Sequence, residues 1–293
     1  MKYVRNKEWC LILIDEEYHL KTIGEFMNDY VISGDKRKEY YAQNKVLLNR
    51  KPVNDAILMQ KGDTLQIKAF EETDVDYLPD EGELEVVYED DFMLVVNKPV
   101  GMLIHPDGNV TNGTLGNLVA KYYMKKGIRT PVRHIHRLDR DTTGLVMYAK
   151  SEFFLPKLDK MLFKKEIQRY YYTMVDGIVG KEEGATGTIK AALARDRHNS
   201  KKFRVDEKEG KAAVTHYTVK KQLSRSTLLE VHLETGRTHQ IRVHMAYIGH
   251  PILFDELYGK PREGKTLQLQ AYKIEMNQLL THKPLHIMIP RCI

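Results

Sequence analysis

The chain is poor in cysteine, with two in 293 residues, Cys10 and Cys292, near opposite ends. That argues against a disulfide framework and makes a reducing cytoplasm the expected setting. It also lacks any apolar run approaching the roughly 20 residues a membrane helix needs, so no membrane partner is expected. The apolar run Trp9 to Ile14 is too short, and too soon followed by acids, to look like a secretory signal. Residues 71–91 lack Lys and Arg altogether while holding 11 acids, with Pro79 among them. That composition reads as a linker between two units. Internal repeats are absent as well.

What remains is an ordinary soluble composition, 42% hydrophobic and 29% charged, long enough for one large domain and a small one. The net charge of +6 hides an asymmetry. Residues 1–100 carry 13 basic and 21 acidic side chains, residues 101–293 carry 33 and 19, and residues 121–170 alone carry 13 and 5. A basic region of this size suits a polyanion such as RNA or DNA, and it equally suits a plain solubilising face.

The unit before the linker, residues 1–78, is small. Leu20, Ile23, Phe26, Met27 and Tyr30 have helical spacing, and Lys36 to Tyr41 reads as a second short helix. Asn49 to Lys51 reads as a turn between two short strands, and Lys61-Gly62-Asp63 leads into a strand at Thr64 to Ile67. This order resembles the small RNA-binding domain of some ribosomal proteins. Lys36, Arg37, Lys38, Lys45, Arg50 and Lys51 would suit phosphates, yet the segment is acidic overall. RNA binding and a folded appendage without that role both fit.

Residues 79–293 alternate strands and helices. Glu85 to Tyr88, Met93 to Val96, Leu145 to Tyr148, Tyr170 to Val175 and Leu228 to Leu233 read as strands, and Phe153 to Lys164 as an amphipathic helix. Thr238 is placed to cap a further helix that Gly249 and Pro251 would stop. Many short strands with few helices predict an α+β fold, not a doubly wound parallel one.

Three constellations carry possible chemistry. In His134-Ile135-His136-Arg137-Leu138-Asp139-Arg140-Asp141-Thr142-Thr143-Gly144-Leu145, two acids and two arginines crowd the mouth of an apolar strand. Unpaired, that charge density costs desolvation energy. It fits an ion-pair cluster, a metal site on His134, His136 and Asp139, or a catalytic carboxylate in a basic pocket. In Thr235-Gly236-Arg237-Thr238-His239-Gln240-Ile241-Arg242, His239 and Arg242 fall on one helical face, and the helix start offers N–H groups to an anion. In Arg169-Tyr170-Tyr171-Tyr172, alternation points Tyr171 away from its two neighbours, and an aromatic strand is more often core than catalytic.

Together these resemble the RluA-type pseudouridine synthase family. The family's His-Arg-Leu-Asp, two variable residues and Thr-Ser-Gly-Leu stand here as His136 to Leu145, with Thr143 in place of Ser. The likeness extends over Val95-Val96-Asn97-Lys98-Pro99 with Gly101 and His105-Pro106, Tyr171 six residues before Gly177, Gly210 to Tyr217, and Thr235 to His244 running on to Gly249-His250-Pro251-Ile252. It covers about residues 85–260. Near the end the match is poorer. Leu269-Gln270-Ala271 stands where the family has Leu-His-Ala, and Lys283 separates His282 from Pro284, which puts strand pairing there in doubt.

The resemblance implies a mixed, largely antiparallel catalytic sheet and isomerisation of uridine to pseudouridine in structured RNA. No nicotinamide or flavin is expected, because the reaction has no net redox change, and no metal, because Arg137 and Arg140 would crowd a cation. Asp139 corresponds to the family aspartate, Arg242 to the arginine that pairs with it, and Tyr171 to the active-site tyrosine. An arginine so placed favours an ionised carboxylate. Arg137 corresponds to the residue that fills the space of a flipped base. His136, Arg140, Arg237, His239 and Lys98 complete the expected RNA-contacting set. Large-subunit ribosomal RNA is the leading expected substrate and transfer RNA the second, with a monomer as the default. The competing readings are a metal-dependent phosphoesterase on His134, His136 and Asp139, and an RNA-binding protein without catalysis.

Overall fold

The computed structural model describes residues 1–108 and 110–293. The first unit comprises β1 (Lys2–Asn6), β2 (Trp9–Leu13), α1 (Ile23–Asp29), α2 (Gly34–Ala42), β3 (Val46–Leu48), β4 (Lys51–Pro52) and β5 (Thr64–Ile67). Its sheet runs β1-β2-β5-β3-β4 and is antiparallel throughout. Thr22 starts α1 with a reciprocal cap: its hydroxyl accepts from the Glu25 N–H at 3.1 Å and its own N–H donates to the Glu25 carboxylate at 2.7 Å. The β1–β2 hairpin has no counterpart among the expected elements. Most of β1 is exposed and polar, so it carries no apolar alternation to read.

Residues 71–84 form no regular element, but they are no loose tether. Glu72 and Asp74 pair with Arg129 at 3.1 and 3.3 Å, and Asp76 accepts from the Val132 N–H at 2.8 Å and from Arg133. Asp80 accepts from the Gly113 N–H at 2.7 Å, and Glu81 pairs with Lys121. The acidic stretch is a strap pinned along the basic flank of the larger part, which neutralises some of the positive charge seen in the sequence.

The larger sheet comprises β6 (Glu85–Glu89), β7 (Met93–Lys98), β8 (Arg133–His134), β9 (Thr143–Ala149), β10 (Gln168–Asp176), β11 (Thr186–Lys190), β14 (Val214–Gln222), β15 (Ser226–Leu233), β16 (Leu269–Asn277) and β17 (Pro284–Met288). A separate hairpin holds β12 (Leu193–Arg195) and β13 (Phe203–Val205). The helices are α3 (Leu115–Lys126), α4 (Leu155–Phe163) and α5 (Gln240–Tyr247). The sheet order is β11-β14-β15-β10-β16-β9-β7-β6, with β17 on β16 and β8 on β9. Every pairing is antiparallel except β16 with β9, so the expected mixed, largely antiparallel α+β architecture is present.

That parallel seam joins the two halves of the sheet and is very tight. Gly144 lies opposite Ala271 with φ +112°, and a Cβ there would stand 2.1 Å from the Ala271 carbonyl oxygen. Only glycine fits this position, which accounts for the Gly in the Thr-Thr-Gly-Leu run. The seam lies immediately after the loop that carries Asp139.

The two faces of the sheet bury different things. Val95, Leu145, Met147, Tyr272 and Ile274 join Phe26, Tyr30, Ile67 and Phe70 of the first unit in one continuous core. Tyr30 donates to the Leu279 carbonyl at 3.1 Å inside it. Val96, Val146, Tyr171, Val231 and Ala271 face the other way, toward α3 and α5. Tyr170 and Tyr172 pack against the first core and Tyr171 sits in the second, the alternation expected of a strand.

The doubted C-terminal pairing is intact. β16 is a central strand bonded to β10, β9 and β17. Gln270 stays in the core by bonding the tail: its amide donates to the Pro290 carbonyl at 2.9 Å and its carbonyl accepts from the Cys292 N–H at 3.1 Å. The extra Lys283 is absorbed in the turn, where His282 adopts φ 53° and the Gln278 N–H reaches the Lys283 carbonyl at 2.9 Å.

Candidate active site

A cleft of about 610 Å³ opens on the face of the sheet away from the first unit. Its walls come from the loop before β9, from β10, from the end of α4, and from the turn between β15 and α5. Asp139 stands in that loop, which closes on itself through a Thr142 N–H to Asp139 carbonyl bond of 3.2 Å. Its side chain is 23% exposed, and two groups face it: Arg242 Nη1 at 3.7 Å and His239 Nε2 at 3.9 Å.

Arg242 is held elsewhere. Its Nε and Nη2 donate side by side to Asp255 at 2.8 and 2.7 Å, and the Asp255 side chain is wholly buried. A fork-to-fork pair of this kind fixes the guanidinium plane. The Asp255 carboxylate also accepts from the N–H groups of Leu257 and Tyr258 at 2.8 and 3.1 Å. Burial raises the pKa of Asp255, but the Arg242 bonds and charge and these N–H groups outweigh it, and the net value is below that of an ordinary aspartate. Arg242 faces Asp139 as expected, but its hydrogen bonds go elsewhere. The bonded partner is Asp255, and Asp139 receives the remaining Nη1. Asp255 was missed because it lies 13 residues from Arg242 in a loop with no periodicity to mark it.

The turn before α5 also departs from expectation. Thr238 does not cap the helix, because its hydroxyl accepts from Arg137 Nη2 at 3.1 Å. The cap position is His239, in the left-handed conformation at φ 57° and ψ 17°. Gln240 steadies the turn, its carbonyl accepting from the Thr235 hydroxyl at 2.7 Å and the Arg237 N–H at 3.0 Å. The twisted backbone aims the His239 ring back at Asp139, while Tyr258 anchors its Nδ1 at 2.9 Å. Burial holds the His239 pKa below the ordinary value, against the pull of Asp139. Gly249 ends α5 as expected, at φ 85°.

The other expected residues divide into two groups. Tyr171, Arg137, His136, Arg237 and His239 all line the cleft with Asp139 and Arg242. Tyr171 is buried, which raises its phenol pKa. Lys98 and Arg140 lie outside the cleft. Lys98 is fully buried and donates to the carbonyls of Pro99, Met102 and Arg140 at 2.9, 2.9 and 2.7 Å. Its three N–H groups are used up, leaving none for a phosphate, and burial pushes its pKa down to about 8. By holding the Arg140 carbonyl, Lys98 braces the loop on which Asp139 sits. Arg140 bonds its neighbour Asp141 at 2.9 Å. His134 stacks on His105 with ring centroids 5.0 Å apart. Among the described residues, no three His, Cys, Asp or Glu side chains converge as a metal site.

The profile of a family described as RNA pseudouridylate synthase matches residues 92–247, more than half of the chain. The chain belongs to the RNA pseudouridylate synthase family. Among the relatives of this pseudouridine synthase is the uncharacterized RNA pseudouridine synthase YhcT of Bacillus subtilis, 39% identical over 224 residues, 76% of this chain and 73% of that one. Another is the ribosomal large subunit pseudouridine synthase D of Yersinia pestis, 36% identical over 250 residues, 84% of this chain and 74% of that one. Among solved structures, human RNA pseudouridylate synthase domain containing 1 shares the fold, with a TM-score of 0.57 and 21% identity over 72% of this chain and 86% of that one. The resemblance read from the motifs is therefore the family itself, and the pseudouridine synthase isomerises uridine in RNA. The phosphoesterase and non-catalytic readings are not favoured.

Proposed function

We propose that Asp139 is the catalytic carboxylate of this synthase and that its substrate is uridine in large-subunit ribosomal RNA, with transfer RNA the second choice. The observation that carries the residue assignment is the setting of Asp139. It is a half-buried carboxylate in the cleft, facing a guanidinium that Asp255 has already locked in place. Pre-set positive charge needs no reorganisation when charge moves in the reaction. Arg242 and His239 orient the carboxylate, and Tyr171 supplies an aromatic wall.

Arg137 is exposed at the cleft mouth and takes the space vacated by the flipped uridine. A guanidinium stacks on bases and contacts phosphate, which suits that task. Flipping itself costs a few kcal/mol, recovered from contacts inside the cleft. Residues 79–293 form the catalytic domain and residues 1–78 a smaller domain that covers the back of its sheet. The protein acts as a cytoplasmic monomer.

The ribosomal substrate is supported by relatives named as large-subunit ribosomal enzymes. Mapping pseudouridines in RNA from cells with and without the protein tests it. The expected result is the loss of one or more sites in large-subunit ribosomal RNA; loss confined to transfer RNA would replace it with the second choice.

A further inference from the structure

Two polar groups in the cleft, His136 and Arg169, lack bonding partners among the described residues. Neither ring nitrogen of His136 meets a partner with hydrogen-bonding geometry, although the residue is only 6% exposed. A buried polar group left unpaired in the free protein is costly, and one that lines a cleft points to a ligand that satisfies it. Beside it lies Arg169, on β10 two residues before Tyr171. Arg137, Arg140 and Arg242 each bond a side chain, whereas the Arg169 guanidinium has no ion-pair or hydrogen-bond partner among the described residues. It lies against Gly236, where a Cβ would stand 3.4 Å from its Nη2, within ordinary contact.

We propose that Arg169 and His136 bind the uracil base of the target nucleotide through its carbonyl oxygens, and hold the negative charge that gathers there when the glycosidic bond breaks.

Position favours the base over a phosphate. The backbone of a flipped nucleotide stays at the mouth, where Arg137 and Arg237 are exposed, and the base goes to the floor, where His136 and Tyr171 are buried. Charge state agrees. Burial, then the fields of Arg169 and His134, hold His136 well below the ordinary histidine value, against a backbone contact from Arg137. A neutral imidazole keeps one N–H, which matches a carbonyl oxygen better than an anion. When the C1′–N1 bond breaks, its electron pair goes to N1 and is shared with O2 and O4. When C5 bonds C1′, C5 loses its proton and N1 gains one. A guanidinium and an imidazole N–H at the oxygens stabilise the base between those two events.

The test uses the full chain and total RNA, labelled with tritium at uridine C5, from cells lacking the protein. It rests on uridine as the substrate base, not on which RNA carries it. Tritium release is followed under single turnover with enzyme in excess, over a series of salt concentrations. Arg169→Ala is expected to lower the saturated rate about 100-fold, and His136→Phe roughly 10-fold. The enzyme concentration for half-maximal rate should move less than about threefold, with the salt slope unchanged. His136→Gln, which restores an N–H, should recover part of the loss. Arg169→Lys, which keeps the charge, should fall between wild type and Arg169→Ala, and it carries the test if the alanine variant does not fold. Wild-type saturated rates in Arg169→Lys and His136→Phe would overturn the proposal. So would a shift in half-saturation alone with the salt slope reduced by about one, the mark of a phosphate contact.

Discussion

The first unit and the cleft both gather cations, and they treat them in opposite ways. Around α2, Lys36 faces Glu39 at 3.3 Å, Arg37 faces Asp55 at 3.3 Å, Lys38 faces Asp35 at 3.7 Å, and Lys45 faces Glu71 at 2.7 Å. Of the six cations that suggested phosphate binding there, only Arg50 and Lys51, in the turn before β4, have no carboxylate partner among the described residues. In the cleft Lys165 pairs with Glu234 at 2.7 Å, but the arginines keep an open side. Asp255 holds the back of Arg242, while Arg137, Arg169 and Arg237 carry no acid partner among the described residues. Charge that is paired on the surface solubilises, and charge that is fixed but unanswered waits for an anion or a transition state. A basic count therefore says little until the partners of each cation are known.

The largest effect expected in breaking this contrast comes from Asp255→Ala. It leaves Arg242 buried without its partner, so stability should fall by about 3 kcal/mol or more and turnover should fall with it, read by thermal unfolding and tritium release. A stable, active variant would show that Arg242 needs no fixing. Next comes Arg137→Ala, with an expected loss of about 10- to 100-fold on folded RNA and a smaller loss when the target uridine is already unpaired. Equal losses on both substrates would remove it from flipping.

A titration separates the halves in another way. His134, His136, His232, His239 and His244, all in the catalytic part, are held below the ordinary histidine value by burial. The unfolded chain then binds more protons than the native one below about pH 6.5, so stability is present above that pH and is lost as pH falls through it. Unfolding midpoints should drop between pH 7.5 and 5.5, and His136→Phe should flatten that drop by about 1 kcal/mol. An unchanged slope would mean His136 protonates freely in the native state. The smallest effect belongs to Lys36→Ala with Lys38→Ala, which should alter RNA affinity less than about twofold, since exposed pairs contribute little. A larger loss would restore the first unit as an RNA-binding surface.

What could be read from the sequence was what is local. The turn at Asn49 to Lys51, the strand Thr64 to Ile67 and the core of α4 follow from short-range pattern and stand within a residue or two of expectation. The residues of the cleft were readable because three motifs lay in register with a family. What was not readable depends on distant partners. Asp255 acts only through Arg242, Lys98 only through carbonyls of a loop 42 residues on, and the left-handed His239 only because Gln240 and Tyr258 hold it. The strap was visible as composition, but its attachment to Arg129 and Arg133 was not. α3 was not legible although Thr114 caps it and Gly127 ends it, because no strand or motif leads up to it in the sequence.

Asp139 carries the proposed chemistry in a cleft where Asp255 fixes the arginine that faces it. Asp139→Asn keeps the shape and removes the charge, and single-turnover tritium release from uridine-labelled RNA measures the consequence. The rate should fall at least about 1,000-fold, with the unfolding midpoint and RNA affinity near those of the wild type. A rate within about tenfold of the wild type would contradict it.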